Sequence, residues 1–289
     1  MPSKTEVITR GQFKKQVIGE LLTRLDKSEA EGVFRILAED VLQLEPVDFV
    51  VGSDVKVEPE TVTRINAAVR RILQGEPVQY VVGSALFHGL RFNVGPGVLI
   101  PRPETSGLVD IISDEWANVK DLNMLDVCTG SGAIALALAK ALPFCSVVGL
   151  DISSEALKYA RENSENLHVK NVKFQQTDVL KEPFPAEKFD IVVSNPPYVT
   201  NSEKKEMDKT VLDYEPSLAL FVPDDDALLF YRRIAAEAFR CLKEGGGVYF
   251  EINPVKATEV KKMLVDNGFS DVAILKDYRG RDRYTVGKK

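Results

Sequence analysis

Three aspartates stand at or just after the ends of three successive predicted strands, where one extended ligand could reach all of them. They are Asp126, Asp151 and Asp178. The carboxyl ends of parallel strands meet at one edge of a sheet, and ligands bind at that edge. We therefore expect Asp151 to accept hydrogen bonds from the hydroxyls of a ribose and Asp126 to lie near an ammonium group. Asp178 would accept from the amino group of adenine, and its apolar neighbour Val179 would lie on the base.

A glycine-rich loop connects the first of these strands to a predicted helix. It consists of Cys128, Thr129, Gly130, Ser131 and Gly132. Glycines let the backbone approach a ligand closely, and the following helix offers unpaired N–H groups at its start. The spacing matches the G-x-G-x-x-[GA] pattern of dinucleotide-binding folds, so NAD has to be considered. Asp126 would serve a pyrophosphate poorly, whereas the three carboxylates suit S-adenosyl-L-methionine, which becomes S-adenosyl-L-homocysteine after methyl transfer.

The tetrapeptide Asn195-Pro196-Pro197-Tyr198 follows another apolar strand, so it falls at the same edge, where the methyl group of that cofactor would lie. Asn195 offers a side-chain carbonyl, its main-chain carbonyl or that of Pro196 offers a second acceptor, and Tyr198 offers a flat face. Such a cradle holds a planar NH₂ group and favours the pyramidal nitrogen of a methyl-transfer transition state. Asn195, Pro196 and Tyr198 are therefore the predicted catalytic residues. The tetrapeptide leaves open whether the nitrogen belongs to adenine, to guanine or to a glutamine side chain.

Strands and helices alternate from about Leu122 to the end of the chain, and they must position these motifs. Seven strands are predicted, at residues 123–127, 146–150, 172–176, 189–194, 247–252, 272–275 and 283–286. Strands that are separated by helices pair in parallel. No helix separates the last two, so we expect them to form an antiparallel hairpin at one edge. The predicted fold is α/β, a doubly wound, mostly parallel seven-stranded sheet of the class I S-adenosylmethionine methyltransferase type.

The first 79 residues predict a small helical bundle. A second helix would open with a capping box formed by Ser28 and Glu31, and a third is predicted for residues 59–74. This part could be a plain bundle or a domain that docks a macromolecular substrate. Residues 80–106 predict a β-hairpin linker, because a glycine lies between two β-prone runs, and residues 107–289 form the predicted cofactor-binding domain.

The composition excludes several classes of protein. The chain has 289 residues and a formal net charge of −6, which argues against a protein that wraps nucleic acid. Its three cysteines and two histidines lack the spacing of a disulfide framework or a metal site, so we expect no metal. No apolar run reaches the roughly 18 residues of a membrane span, and the first residues lack the apolar core of a signal peptide. We therefore expect a cytoplasmic location.

Beyond these motifs, the chain resembles the release factor glutamine N5-methyltransferases, the HemK/PrmC family. The resemblance rests on these segments, in order: Gly75–Tyr80 with Gly83, Phe87–Thr105, Asp126–Ala135, Asn195–Tyr198 and Asp277–Arg283. The segments span nearly the whole chain. The run Pro101-Arg102-Pro103-Glu104-Thr105 is far more specific to the family than the tetrapeptide is.

The resemblance implies a substrate, namely the glutamine of the Gly-Gly-Gln loop in class I peptide-chain release factors. It implies that Cys128–Gly132, Asp151, Val179 and Asn195 contact the cofactor and that Asn195–Tyr198 holds the glutamine amide. It also implies that the hairpin around Phe87 and the segment Arg102–Thr105 line the mouth of the site, with Phe87, Arg102 and Glu104 as substrate-binding residues. The expected partners are class I release factors; we expect a monomer with no stable binding to nucleic acid and no association with a membrane.

Two departures from the family pattern bear on the site. Cys128 stands where the family usually has glycine, which suggests that this position does not strictly require a positive φ. Ser106 and Gly107 follow the Pro-Glu-Thr run where the family commonly has another glutamate, so a charged contact there is in doubt.

Two other functions make different predictions. A methyltransferase of adenine N6 or another exocyclic amine of a nucleic acid requires a basic face. The only clear basic cluster comprises Lys276, Arg279, Arg281, Arg283, Lys288 and Lys289. A nicotinamide-dependent oxidoreductase requires a general acid in its site, and neither His88 nor His168 lies near a predicted sheet end.

Overall fold

The computed structural model describes residues 8–45 and 47–289, and the chain divides into two compact units. The N-terminal unit runs to Ser84 and includes Lys209–Tyr214. The sheet unit comprises Ala85–Asp208 and Glu215–Lys289. Of the predicted hairpin linker, residues 85–106 group with the sheet and residues 80–84 with the N-terminal unit.

The helices and strands have the following bounds. The α-helices are α1 (Arg10–Leu21), α2 (Lys27–Leu37), α3 (Asp48–Val51), α4 (Pro59–Leu73), α5 (Val78–Val82), α6 (Ser106–Trp116), α7 (Ala133–Ala141), α8 (Ser154–Asn166), α9 (Lys209–Tyr214), α10 (Leu229–Cys241) and α11 (Ala257–Asp266). The strands are β1 (Ser84–Phe87), β2 (Leu90–Asn93), β3 (Leu122–Val127), β4 (Cys145–Asp151), β5 (Val172–Gln176), β6 (Phe189–Ser194), β7 (Val199–Thr200), β8 (Phe221–Val222), β9 (Leu242–Glu251), β10 (Ser270–Lys276) and β11 (Asp282–Lys288).

The N-terminal unit is helical, and α1, α2 and α4 each bury one apolar face. Phe13, Val17 and Leu21 of α1 are fully buried in its core. The capping box of α2 is formed by Asp26 and Glu29, so the predicted pair Ser28 and Glu31 is wrong. The Asp26 carboxylate accepts the Glu29 N–H at 2.9 Å, and the Glu29 carboxylate accepts the Asp26 N–H at 3.2 Å. Asp is as good a cap as Ser, and helix α2 therefore begins two residues earlier.

The seven-stranded sheet has the order β10-β11-β9-β6-β3-β4-β5. Strands β9, β6, β3, β4 and β5 run parallel, while β11 pairs antiparallel with both β9 and β10. The predicted fold class and the edge hairpin are thus confirmed. The chain moves from β3 to β4 and β5 on one side and then crosses to β6 on the other. This reversal is a topological switch point, and in such sheets the crevice beyond the carboxyl ends of the strands binds the ligand.

A two-stranded hairpin of β1 and β2 precedes the sheet, as the glycine between two β-prone runs predicts. His88 and Gly89 form its turn with φ values of 47° and 72°. Two successive positive φ values are typical of a type I′ turn, whose twist matches that of the strands. Phe87 is buried and meets the ring of Phe92 edge-on, with the ring centroids 6.0 Å apart.

Every helix in the described part of the chain is too short or too polar to span a lipid bilayer.

Candidate active site

A cavity of about 340 Å³ lies at the carboxyl ends of β3, β4 and β6, where the sheet reverses direction. Its volume is typical of a small-molecule site. The predicted site residues that line it are Cys128, Thr129, Gly130, Ser131, Asp151, Asp178, Val179, Asn195, Pro197 and Arg102. The predicted site residues outside its lining are Asp126, Gly132, Pro196, Tyr198, Phe87 and Glu104. The glycine-rich loop after β3 thus borders the cavity through Cys128–Ser131. The other predicted residues lie behind this loop or in other parts of the sheet unit.

The loop after β3 has a left-handed backbone at three positions. The φ values are 62° at Cys128, 57° at Gly130 and 79° at Gly132. The sequence suggests that this position does not strictly require a positive φ, and the structure nevertheless gives Cys128 one. The turn is held by its neighbours, because the Thr129 N–H bonds the Leu150 carbonyl at 2.9 Å, and a non-glycine residue can be held in this conformation at a modest cost. Burial also raises the pKa of the Cys128 thiol, which keeps it neutral.

Gly132 serves packing and does not face the cavity. A Cβ atom placed there would lie 3.0 Å from Phe174 and 3.3 Å from Ala160, so only glycine lets helix α7 approach these neighbours closely. Gly130 differs, because a Cβ atom there would meet nothing within 4 Å. The predicted cofactor contact of Gly132 stays a prediction, and the structure gives this residue a packing role.

Asp126 lies beneath the loop and is fully buried, outside the lining of the cavity, so it could act on an ammonium group only through the loop, and its predicted cofactor role stays a prediction. Its Oδ2 accepts hydrogen bonds from the Thr129 hydroxyl at 2.6 Å and from the Ala135 N–H at 3.1 Å. Its Oδ1 has no partner among the described residues. Burial raises the pKa of Asp126 to about 7, because the charged form loses its hydration. Asp126 therefore ties the loop to the start of α7 from behind.

Asp151 ends β4 with its carboxylate on the cavity, as predicted. One oxygen accepts the Gly130 N–H at 2.8 Å and the other accepts the Ser153 N–H at 2.9 Å. Each carboxylate oxygen can accept a second hydrogen bond, so both remain able to bind hydroxyls. Burial raises the pKa of Asp151, and the backbone hydrogen bonds oppose that change.

Asp178 and Val179 lie side by side on the cavity. Asp178 pairs with Lys181 at 2.8 Å, and the hydrogen bond from Lys181 lowers the pKa of the carboxyl. Val179 is buried, and its carbonyl accepts the Arg233 Nε–H at 2.9 Å, which fixes its backbone. An acceptor next to a buried apolar side chain is suited to the edge and the face of a base.

The tetrapeptide after β6 presents Asn195 and Pro197 to the cavity. The Asn195 Nδ2 donates to the hydroxyl of Thr105 at 3.3 Å, which leaves Oδ1 as an acceptor. Pro196 is buried away from the cavity. Tyr198 packs against the core of the sheet unit, and its hydroxyl donates to Glu251 at 3.1 Å, so the predicted stacking face for a substrate is not on the cavity. Burial raises the pKa of Tyr198, which keeps this donor protonated.

Phe87 and Glu104 lie outside the cavity for physical reasons. Phe87 is only 2% exposed, because it fills the apolar core beneath its hairpin. The Glu104 carboxylate faces the turn before β11, where Tyr278 Oη is 3.4 Å away and Arg279 Nη1 is 3.6 Å away. Neither side chain lines the cavity, whereas Arg102 and Thr105 of the same predicted segment do.

Three further residues connect segments of the candidate site, and the sequence motifs do not single any of them out. Thr105, on the cavity, belongs to the Pro-Glu-Thr run, and Glu251 ends a predicted strand at the active edge, so both had a positional signal. Glu215 lies in a loop without periodicity, and it accepts Arg102 Nη2 at 2.5 Å and the Ile100 N–H at 3.1 Å. These two bonds hold the Arg102 segment at the rim of the cavity.

No group of three His, Cys, Asp or Glu side chains in the described ranges could hold a metal ion.

Comparison with known proteins gives matches along nearly the whole chain. Residues 118–280 match the family model of a methyltransferase domain, and residues 17–83 match that of the PrmC N-terminal domain. The release factor glutamine methyltransferase of Bacteroides thetaiotaomicron is 44% identical over 90% of this chain and 93% of its own length. That of Flavobacterium psychrophilum is 41% identical over 94% of this chain and 96% of its own.

A solved structure shares the fold. The 16S rRNA N2 G1207 methyltransferase of T. thermophilus, in complex with AdoMet and guanosine, is 21% identical and covers 71% of this chain and 49% of its own, with a TM-score of 0.52. At that identity the likeness concerns the fold alone. The two close relatives and the two family models settle the classification: the chain belongs to the release factor glutamine methyltransferase family.

Proposed function

We propose that this enzyme transfers a methyl group from S-adenosyl-L-methionine to the side-chain amide nitrogen, N5, of the glutamine in the Gly-Gly-Gln loop of class I peptide-chain release factors. The single observation that carries the proposal is the Asn195 carboxamide on the cavity, with Nδ2 directed to Thr105 at 3.3 Å and Oδ1 left to accept. The family to which the chain belongs is named for this reaction.

The residues around the cavity fit S-adenosyl-L-methionine, which when bound supplies a sulfonium methyl group. Asp151 has lone pairs left for the ribose hydroxyls, and Asp178 with Val179 offers an acceptor and an apolar wall to the adenine. The backbone of Cys128–Ser131 borders the same space and would hold the methionine end. Asp126 supports that loop from beneath.

The acceptor groups of the tetrapeptide supply what an amide nucleophile needs. An amide nitrogen is a poor nucleophile, because its lone pair is delocalised into the carbonyl. Asn195 Oδ1 and a main-chain carbonyl, that of Asn195 or that of Pro196, accept the two hydrogens, which holds the nitrogen in line with the methyl group. Holding both hydrogens favours the pyramidal nitrogen of the transition state over the planar ground state.

The surface charges favour a protein substrate over the alternative, an exocyclic amine of a nucleic acid. Five of the six basic residues of the C-terminal cluster are ion-paired. The pairs are Lys276 with Asp282, Arg279 with Glu104, Arg283 with Asp277, Lys288 with Glu115 and Lys289 with Glu244. Paired cations release few counterions on contact with phosphates and so contribute little affinity for nucleic acid. A nicotinamide reaction is disfavoured as well, because neither histidine lines the cavity.

We assign docking of the release factor to the N-terminal unit. The assignment is supported by the match of residues 17–83 to the PrmC N-terminal domain and by exposed apolar side chains on α3. Val50 is 72% exposed and Val51 is 80% exposed. Exposed apolar side chains that are adjacent to each other are common at protein interfaces.

Methyl transfer can be tested with labelled S-adenosyl-L-methionine and three substrates: purified release factor, the same factor with its Gly-Gly-Gln glutamine changed to alanine, and a mixture of RNA and DNA. We expect label on the first only, and mass spectrometry should place it on the glutamine side chain. The Asn195→Ala variant should lose transfer while it still binds the cofactor. Label on nucleic acid alone, or equal label on both release factors, would overturn the proposal.

A further inference from the structure

The buried carboxylate of Glu251 is connected to Asn195, which lines the cavity, through two successive hydrogen bonds. Glu251 is the last residue of β9 and is 2% exposed. Its Oε2 accepts the hydroxyl of Thr105 at 2.6 Å, and its Oε1 accepts the hydroxyl of Tyr198 at 3.1 Å. Tyr231 Oη donates to the main-chain carbonyl of Glu251 at 3.0 Å, which fixes the end of the strand. The carboxylate therefore binds two segments of the site at once.

The direction of these hydrogen bonds determines the orientation of Asn195. A threonine hydroxyl has one hydrogen and two lone pairs, and an ionised carboxylate can only accept. The hydrogen of Thr105 is therefore directed to Glu251, and toward Asn195 the hydroxyl can only accept. Only the Nδ2 of Asn195 can donate to it, and the two atoms are 3.3 Å apart. The reversed amide would place two acceptors against each other.

We propose that Glu251 is a positioning residue that acts through Thr105 to fix the Asn195 carboxamide with its oxygen toward the substrate, and that this selects an NH₂-bearing side chain over a carboxylate. The inference rests on the proposed function, since it assigns the preference for glutamine over glutamate to a definite pair of residues. A flipped Asn195 would offer an NH₂ group to the cavity. It would then favour a carboxylate and leave the amide hydrogens of glutamine without an acceptor.

Three groups favour the charged form of Glu251 and oppose the effect of its burial. Burial raises the pKa of its carboxyl, and the charge of Glu104 adds to that rise, while the hydrogen bond from Thr105, the positive charge of Arg283 and the hydrogen bond from Tyr198 lower it. These three groups come from three separate segments of the sheet unit. A protonated Glu251 could donate to Thr105 and would release the threonine hydrogen toward Asn195, so the charged form is the one that orders the network.

The test uses the full-length protein with three substitutions, Glu251→Gln, Thr105→Val and the matched control Thr105→Ser. The carboxamide that Glu251→Gln introduces can donate to Thr105, so the threonine hydroxyl becomes free to turn and both orientations of Asn195 become possible. We expect kcat for release factor to fall at least about tenfold, and by less than the roughly 100- to 1000-fold cost of removing a transition-state hydrogen bond outright, because Asn195 itself is kept. The affinity for S-adenosyl-L-methionine and the thermal midpoint should stay near those of the wild type. Thr105→Val should behave similarly, whereas Thr105→Ser, which retains the hydroxyl between Glu251 and Asn195, should lose clearly less kcat than Thr105→Val.

A substrate competition separates this role from a merely structural one. Release factor with glutamate in place of the Gly-Gly-Gln glutamine should inhibit the wild type weakly and the Glu251→Gln variant more strongly. The inference would be overturned if Glu251→Gln kept the wild-type kcat and was inhibited by the glutamate-bearing release factor no more strongly than the wild type. Equal losses of kcat in Thr105→Ser and Thr105→Val would overturn it as well. Should the wild type fail to methylate release factor, the proposed function falls instead, and neutron diffraction then decides the inference alone: Oδ1 of Asn195 facing Thr105 would refute it.

Discussion

Glu215 and Arg102 form an ion pair that joins two segments at the rim of the cavity. Arg102 Nη2 lies 2.5 Å from Glu215 Oε1, and the other oxygen of the carboxylate accepts the Ile100 N–H at 3.1 Å. Glu215 is 5% exposed, whereas the Arg102 side chain is about one-third exposed. The segment around Arg102 and residues 216–219 both line the cavity. The pair therefore sets the shape of its entrance.

Removing the Arg102 guanidinium alone should destabilise the protein more than removing the charges of Arg102 and Glu215 together. Arg102→Met leaves a buried carboxylate without its counter-charge, and we expect the free energy of unfolding to fall by about 3 kcal/mol. Glu215→Gln combined with Arg102→Met removes that unpaired charge and should recover part of the loss. Urea unfolding of the two single variants and the double variant measures the coupling. Strictly additive losses would contradict a direct interaction between the two side chains.

Strand positions could be predicted from the sequence, whereas the direction of individual side chains could not. The bounds predicted for residues 172–176 and 189–194 match β5 and β6, because each is an apolar or β-prone run between turn signals. The sequence places Asp126 at a strand end, but only the packed structure shows that Thr129 and Ala135 bind it beneath the loop. A side chain there can turn toward the ligand or toward the helix, and both fit the same pattern.

Contacts between segments that are distant in the sequence account for the remaining differences between the predicted and the observed site. Tyr198 is turned from the cavity by Glu251, which is 53 positions away in the sequence, and Arg102 meets a carboxylate 113 positions away. The left-handed backbone of Cys128 is likewise held by tertiary hydrogen bonds to the end of β4. Periodicity and short motifs carry no information about such pairs. Helix α6, Ser106–Trp116, was also not predicted, since its start lies directly after a proline-rich run.

The two loop glycines should respond differently to the same substitution. Both have a positive φ, so an added Cβ costs about 1 kcal/mol of folding free energy at either position. Gly130→Ala should cost about that much, because nothing lies within 4 Å of its Cβ. Gly132→Ala should cost clearly more, because its Cβ would lie 3.0 Å from Phe174 and 3.2 Å from Leu136. Denaturant unfolding of both variants compares the losses, and equal values would show that Gly132 is needed for its backbone alone.

Substitution of the exposed valines on α3 should weaken the binding of full-length release factor and leave the binding of a short peptide unchanged. The Val50 side chain is 72% exposed and that of Val51 is 80% exposed, so changing both to aspartate should alter the stability of the protein little. If this surface docks the substrate, KM for full-length release factor should rise about tenfold, which corresponds to roughly 1.4 kcal/mol of binding free energy. KM for a Gly-Gly-Gln peptide should not change. Val265→Asp is the matched control, since Val265 is 52% exposed on α11 of the sheet unit. Equal KM values for release factor in all variants would refute docking at α3.

Asp126 should make the stability of the protein depend on pH between about 4 and 7. Its pKa is about 7 in the folded protein, because burial disfavours the charge, and about 3.9 in an unfolded chain. Between these values the folded state binds more protons, so the stabilisation is complete at low pH and is lost as the pH rises through 7. One such group changes the free energy of unfolding by at most about 1.4 kcal/mol per pH unit.

The substitution Asp126→Asn isolates this contribution. An asparagine oxygen can replace Oδ2 and still accept from Thr129 and Ala135, so the loop keeps both hydrogen bonds while the titration disappears. Urea unfolding of both proteins from pH 4 to 8 should show a smaller loss of stability with rising pH in the variant. Asp151 and Glu251, whose pKa values burial also raises, titrate in both proteins and cancel in the comparison. Parallel curves for the two proteins would mean that Asp126 is already ionised at pH 4 and that its burial is compensated within the loop.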